Sequence, residues 1–281
     1  FMQRDTRVRY HCHGENLGSA GNFVYGWERV TTPFFSILCD DDYLLPNFFQ
    51  VALSGFRSHP NAIFSAGSSF VVDENGKIIF TPLYHWPTDR VYPPPRGMLR
   101  MLDGGEFPSM TATLYRREVI NAGILDLQAG MIGDFNLALL LSAQYPIVVS
   151  KVPCAVNTTH SGAISYRQPA SYFYPGLLTI VKGLRLVKQL PQEHLAIAEK
   201  KLMRVLRVFL VQIALRSLLS GNKTEFRNTW SILSQELKTP LPQAFSDFCA
   251  AKLKNIPKHR LQRLFLYEKK FRTSIREPRG T

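Results

Sequence analysis

The sequence predicts an α/β protein with a mostly parallel sheet flanked by helices, followed by a C-terminal region built of helices alone. Two observations predict it. Up to about residue 168, short apolar runs alternate with segments of helical period, and beyond it only the helical period continues. The charge changes nearby: residues 1–160 carry a net charge of −2 and residues 161–281 one of +15, within a 281-residue chain of +13. These breaks divide the chain into 1–168 and 169–281. The basic part should face something anionic: a membrane surface, a nucleic acid or a phosphorylated ligand.

Taken in order, Arg7-Val8-Arg9-Tyr10-His11-Cys12-His13 alternates and reads as a strand, and Asn16 and Gly18 form a turn. Phe23, Val24, Trp27 and Val30 then recur at the spacing of a helix buried on one face. The nearly continuous apolar run Pro33 to Cys39 reads as a strand covered on both faces. Three aspartates end it, and Pro46 opens a helix that buries Phe48, Val51, Ala52, Gly55 and Phe56. Ala62 to Val72 is the next strand, turning at Asp73-Glu74-Asn75-Gly76 and returning through Lys77 to Phe80. Pro82 to Pro95 is a loop. A strand follows at Met110 to Tyr115, a short helix at Arg117 to Ala122, a helix at Asp134 to Ala143 and a strand at Ile147 to Val152. In the C-terminal region, Leu195, Ala198, Leu202, Val205, Leu206, Phe209, Leu210 and Ile213 form one stripe. A second helix carries Phe226, Trp230, Leu233 and Leu237, with Thr224 as its N-cap.

Composition excludes several classes. With 45% hydrophobic and 20% charged residues, the chain is neither disordered nor collagen-like. Cys12, Cys39, Cys154 and Cys249 contain no C-x-x-C pair, which removes a zinc framework and any argument for an oxidising compartment, so the cytoplasm is the expectation. The longest charge-free apolar run of the basic half, Val208 to Leu215, is far short of the roughly 20 residues that span a bilayer.

Asp40-Asp41-Asp42 is the sharpest chemical feature. Like charges about 4 Å apart repel by roughly 4 kcal/mol at an effective dielectric of about 20, so three adjacent carboxylates need a reason. One reading is a solvated acidic turn; the other is a divalent cation, Mg²⁺ or Mn²⁺, bridging a diphosphate. Their place after a buried strand, where open α/β sheets bind ligands, and before a Pro-initiated helix favours the cation. Asp134 reads equally as a helix cap and as a catalytic carboxylate. In His11-Cys12-His13, strand alternation separates Cys12 from the two histidines, so two exposed histidines account for it better than a metal site. Trp86 is a candidate to stack on a sugar, whereas Trp27 and Trp230 fit helix cores.

In this order, Asn16-x-Gly18, Asn22, a helix, an apolar strand, Asp40-Asp41-Asp42 and Pro46-x-Phe48-Phe49 resemble the family 2 glycosyltransferases of GT-A fold. So do Ser109 to Glu118, Gly123-Ile124-Leu125-Asp126, Gly133 to Leu139, and His160 to Ser165. The resemblance covers roughly residues 5–167. It implies a partial GT-A domain over 1–168, lacking its first strands, and a basic helical region over 169–281. It also implies a metal-dependent, inverting transfer of sugar from a nucleotide-diphosphate donor to a glycan or lipid-linked acceptor hydroxyl. By that resemblance Asp134 is the base, Asp41 ligates the metal, and Asp40 contacts the ribose or the metal. Asp42 either supports the metal ligand from behind or contacts the donor's sugar, Asn16 helps hold the donor, His160 is a further metal ligand or diphosphate contact, and Arg167, with Tyr166, holds phosphate oxygens. A lone surface histidine is the alternative for His160. Gly133 stands where the family has Glu, and Leu140 or a neighbour where it has Arg, so acceptor recognition should depart from the family's habit. The family's nucleobase grip has no counterpart before residue 5, which predicts weak donor binding by the polypeptide as it stands.

Lys200, Lys201, Arg204 and Arg207 flank an apolar stripe. They suit a peripheral contact with the inner face of a membrane, or simply a solvated face of packed helices. No nucleic-acid motif is present, so nucleic acid is not an expected partner. The alternative function is a non-catalytic scaffold whose basic helices dock on a membrane or partner; it would lose function on reversing Lys200, Lys201 and Arg204 and ignore the aspartates. A metal-dependent phosphohydrolase would need more His/Asp ligands than the sequence places.

Overall fold

The computed structural model describes residues 2–84, 86–87, 90–104, 106–121, 133–160 and 169–254. Its strands are β1 (Phe34–Ser36), β2 (Tyr43–Leu44), β3 (Phe64–Asp73), β4 (Ile78–Phe80), β5 (Arg90–Tyr92), β6 (Thr113–Arg116) and β7 (Ile147–Thr159). They form one sheet in the order β1-β6-β3-β7-β2, with β4 added to β3 and β5 to β7. The helices are α1 (Gly18–Trp27), α2 (Phe48–Ser58), α3 (Arg96–Gly104), α4 (Glu118–Asn121), α5 (Gly133–Gln144), α6 (Ala170–Arg185), α7 (Gln192–Leu219), α8 (Lys223–Ser231, running on as a π-helical turn to Glu236) and α9 (Leu241–Lys254).

The α/β class holds, but the sheet is mixed rather than mostly parallel. The long central pairing of β3 with β7 is parallel, while β1–β6, β3–β6, β3–β4, β5–β7 and β2–β7 are antiparallel. Side-chain periodicity shows that a strand is covered but not which way its neighbour runs. β4 returns antiparallel because the Asp73 carboxylate accepts from the amides of Asn75 and Lys77, closing a tight turn with Gly76 at φ +75°. β1 is also less covered than its apolar run predicts: β6 is its one partner among the described residues, and Leu38 beyond it is exposed.

The two faces of the sheet carry separate cores. On one, Phe48, Ala52 and Phe56 of α2 meet Leu114, Val148, Cys154 and Ala155. On the other, Phe64, Tyr115, Ile147 and Val149 meet α3 and α5. Alternation of Leu114 with Tyr115, and of Val148 with its neighbours, divides the strands between the faces. Two glycines mark the closest approaches. A Cβ at Gly55 of α2 would lie 2.2 Å from Ser65 Oγ, and one at Gly67 would lie 2.3 Å from Cys154 Sγ. Around Gly67 the β3–β7 register shifts, opposite Pro153, which has no N–H to give a ladder. β7 resumes beyond this shift, so it extends seven residues past the expected end at Val152.

Arg7 to His13 is not a strand in this structure. Val8 and Tyr10 remain exposed, and alternation without a sheet to cover it does not make a strand. The two histidines pack on Tyr25 of α1 instead, His11 stacked at 4.3 Å and His13 edge-on at 4.5 Å between ring centroids. Trp27 closes α1 and packs edge-on to Phe35, as a core residue.

Beyond residue 169 the described elements are all helices, and they share a core with the sheet. Ala198, Leu202, Leu206 and Leu210 of α7 and Ile180 and Leu184 of α6 belong to one apolar cluster with Met98 of α3 and Leu137 of α5. α5 is buried on every side between these layers, from Phe135 to Ala143. Helix α8 is capped two residues earlier than expected: Asn222, not Thr224, accepts from the Glu225 amide, and the Glu225 carboxylate in turn accepts from the Ala170 amide at the start of α6. No helix of the described residues is long and apolar enough to cross a membrane.

Candidate functional site

The three aspartates lie on the turn between β1 and β2. Pairing of Tyr43 with Val156 and Leu44 with Ala155 brings this turn to the last residues of β7. Leu45 adds a backbone bond to the Cys154 carbonyl at 2.9 Å. The short β2 therefore acts as a clasp. It sets Cys39 to Asp42 beside Asn157, Thr158 and His160, residues more than a hundred positions away in the chain.

The three carboxylates have different surroundings. Asp40 is exposed. Asp41 is exposed as well, with its Oδ2 3.2 Å from His160 Nε2. Asp42 is half-buried and accepts three bonds: Thr111 Oγ1 at 2.6 Å, Asn157 Nδ2 at 2.7 Å and the Thr158 amide at 2.9 Å. Donor atoms of Cys39, Asp41 and Asp42 lie within 4.8 Å of one another, the one such group of three among the described residues. Carboxylate oxygens with an adjacent imidazole are a chemically suitable donor set for Mg²⁺ or, better, Mn²⁺. Burial, and then the negative fields of Asp42, Asp41, Asp40 and Asp134, push the Cys39 thiol up to about 11. At neutral pH that thiol is protonated.

The field of Asp134 also reaches the Cys39 thiol, as the smallest of the four. Asp134 stands inside the first turn of α5, not in front of it, and its Oδ1 accepts from the Phe135 amide at 2.7 Å. Protein surrounds it on most sides while one edge stays open to solvent, and burial raises its pKa to about 6 despite that bond. Asp134 and the three aspartates of the turn are thus acidic side chains of unequal character.

Several expected participants fall elsewhere. Asn16 turns back to accept from the Gly18 amide at 2.8 Å, a local turn ahead of α1. Trp86 is buried, edge-on to Tyr92 with Arg100 over its ring, so it offers no face to a sugar. Arg167, Tyr166, and the segments Gly123 to Asp126 and Ser161 to Ser165 lie outside the described residues. Sequence reading passed over Thr111, Asn157 and Thr158. The available signal was polar: Thr111 interrupts a strand-like run, and Asn157-Thr158-Thr159 end an otherwise apolar one. An open depression of about 300 Å³, lined by Gln144, Tyr145, Leu186, Lys188 and Gln189, lies at the far end of α5 from Asp134 and holds no carboxylate.

The cationic side chains of α7 are mostly engaged. Lys201 pairs with Asp103, Arg204 and Arg207 pair with Asp247 at 3.5 and 2.7 Å, and Lys200 is exposed. Nothing in this arrangement supports contact with a membrane.

Residues 1–123 match the sequence model described as Glycosyl transferase family 2. Over this part the chain is similar to that family, whose general chemistry is glycosyl transfer between a donor and an acceptor. The mixed sheet with helices on both faces and a helical C-terminal region agrees with a GT-A-like fold. Among solved structures, the crystal structure of S. aureus TarS 1-349 is similar with a TM-score of 0.42 and 11% identity, covering 75% of this chain and 69% of that one. That likeness is too remote to bear on the site. No curated protein matches the chain.

Proposed function

We propose that this chain transfers a sugar from a nucleotide-diphosphate donor to an acceptor hydroxyl of a glycan or lipid-linked chain, by a metal-dependent single displacement that inverts the anomeric centre. The observation that carries this reading is the acidic turn held beside the end of β7, where Asp41 Oδ2 lies 3.2 Å from His160 Nε2 and no lysine or arginine of the described residues pairs with the three carboxylates. Asp41 and His160 would hold the cation, with Asp40 and the exposed edge of the turn toward the donor. When bound, a divalent cation supplies positive charge to the departing diphosphate, which then needs no proton.

Asp134 supplies the base. With its pKa raised to about 6, it is ionised at neutral pH yet more basic than an ordinary aspartate, which suits it to removing the acceptor proton. As that O–H bond breaks, the acceptor oxygen bonds to the anomeric carbon from the face opposite the diphosphate. The electron pair of the broken C–O bond leaves with the diphosphate, and inversion follows. The Phe135 amide keeps one carboxylate oxygen oriented, leaving the other for the proton.

Nucleoside diphosphate release with acceptor present is the test, measured with wild type, Asp41→Asn and Asp134→Asn. Loss of turnover in both variants, with melting temperatures not lowered, supports the reading. Wild-type turnover in Asp134→Asn removes the base, and turnover indifferent to Mn²⁺ and chelator removes the cation.

A further inference from the structure

Asp42 differs from its two neighbours in having almost no free capacity. A carboxylate offers about four lone-pair sites, and three of them are taken by Thr111 Oγ1, Asn157 Nδ2 and the Thr158 amide, at 2.6, 2.7 and 2.9 Å. All three of these partners donate. Thr111 is buried and comes from the segment just before β6, while Asn157 and Thr158 come from the end of β7, so the bonds join three separate stretches of chain. The Asp42 amide also donates to the Cys39 carbonyl at 3.3 Å, closing the turn that carries Asp41.

We infer that Asp42 is a positioning residue and not a cation ligand: Thr111, Asn157 and Thr158 fasten its carboxylate, and through it the turn, so that Asp41 stays opposite His160. This rests on the reading of Asp41 and His160 as the cation-holding pair. An asparagine at position 42 would keep one acceptor and turn an NH₂ group against a donor, whereas valine at position 111 keeps the shape and removes one donor. Outer partners of metal-binding side chains commonly change metal affinity by about 10- to 100-fold when lost.

Two readouts separate this inference from the reading it rests on. The first, on the metal-free protein, is amide hydrogen exchange at Thr158 and across 40–42. Faster exchange in Thr111→Val, restored by Thr111→Ser, is expected; unchanged exchange in Thr111→Val overturns the fastening. The second is Mn²⁺ binding, followed by loss of the free-ion electron paramagnetic resonance signal. Expected are roughly tenfold weaker binding in Thr111→Val, near wild-type binding in Thr111→Ser, no binding in Asp41→Asn, and a Thr111→Val/Asp42→Asn double variant no weaker than Asp42→Asn alone. If Asp42→Asn abolishes binding as completely as Asp41→Asn, Asp42 is a ligand and the inference fails. If the wild type binds no Mn²⁺, the cation reading fails, and the role of Asp42 toward a cation fails with it. The exchange result identifies that case, because it needs no metal.

Discussion

The carboxylate rim and helix α7 treat concentrated charge in opposite ways. On α7 the cations meet carboxylates of the same chain: Lys201 meets Asp103, and both Arg204 and Arg207 meet Asp247. At the rim, Asp40, Asp41 and Asp42 stand side by side, and among the described residues no lysine or arginine pairs with them; their neighbours are His160 and the hydrogen-bond donors on Asp42. A net charge of +13 would point to the helices as the interacting surface, yet three of the five cations of α7 are answered within the fold, whereas the carboxylates of the rim meet no lysine or arginine of the described residues. Local pairing, and not net charge, distinguishes a solvated or structural face from a site.

The sharpest way to break this contrast is at Asp134 and Asp41. Replacing either with asparagine should lower turnover by at least about a hundredfold, read by nucleoside diphosphate release. For Asp134→Asn the stability effect should run the other way. Its folded pKa of about 6 lies above the ordinary 3.8, so its ionisation weakens the fold as pH rises through that interval and the loss persists above it. The variant keeps an acceptor for the Phe135 amide and should be more stable than wild type at pH 8, by at most about 3 kcal/mol, with no difference near pH 3. Chemical denaturation at the two pH values checks this.

The same group predicts a pH profile. Turnover should fall on the acid side with a midpoint near 6, as Asp134 takes up its proton, and that limb should be absent from the residual activity of Asp134→Asn.

On the helical side the expected effects are smaller. Asp247→Ala leaves two guanidinium groups without their carboxylate, Arg207 being the more covered, and should cost roughly 2 kcal/mol in urea denaturation while turnover stays the same. Lys200→Glu should change stability by less than about 0.5 kcal/mol, and it should leave both turnover and sedimentation with anionic vesicles unchanged. Vesicle binding that Lys200→Glu removes would restore the membrane reading and erase the contrast.

Much of this arrangement was legible in the order of residues because it is written locally. The helical stripe of α7, the apolar run before Asp40 and the turn at Asp73 to Gly76 each depend on neighbours a few positions apart. Asp40 to Asp42 and Asp134 were visible because carboxylates at the ends of apolar elements have few uses. The alternation at Arg7 to His13 misled, since an alternating pattern becomes a strand only where a sheet receives it. β7 runs past Val152, the end its apolar run predicts, because Pro153 sits at a register shift and pairing resumes beyond it.

By itself, the sequence determined the α/β-to-helical order, the acidic turn and the family pattern over its first part, because periodicity and turn chemistry act over a few residues. Tertiary structure alone decided three things. It set the direction of the strand pairs, which hydrogen bonds choose and side chains do not announce. It separated the exposed Asp41 from the fastened Asp42, whose partners lie 69 to 116 positions away. It also spent most of the cations of α7 on the fold's own carboxylates, since which charges meet depends on how helices pack and not on how many charges the chain carries.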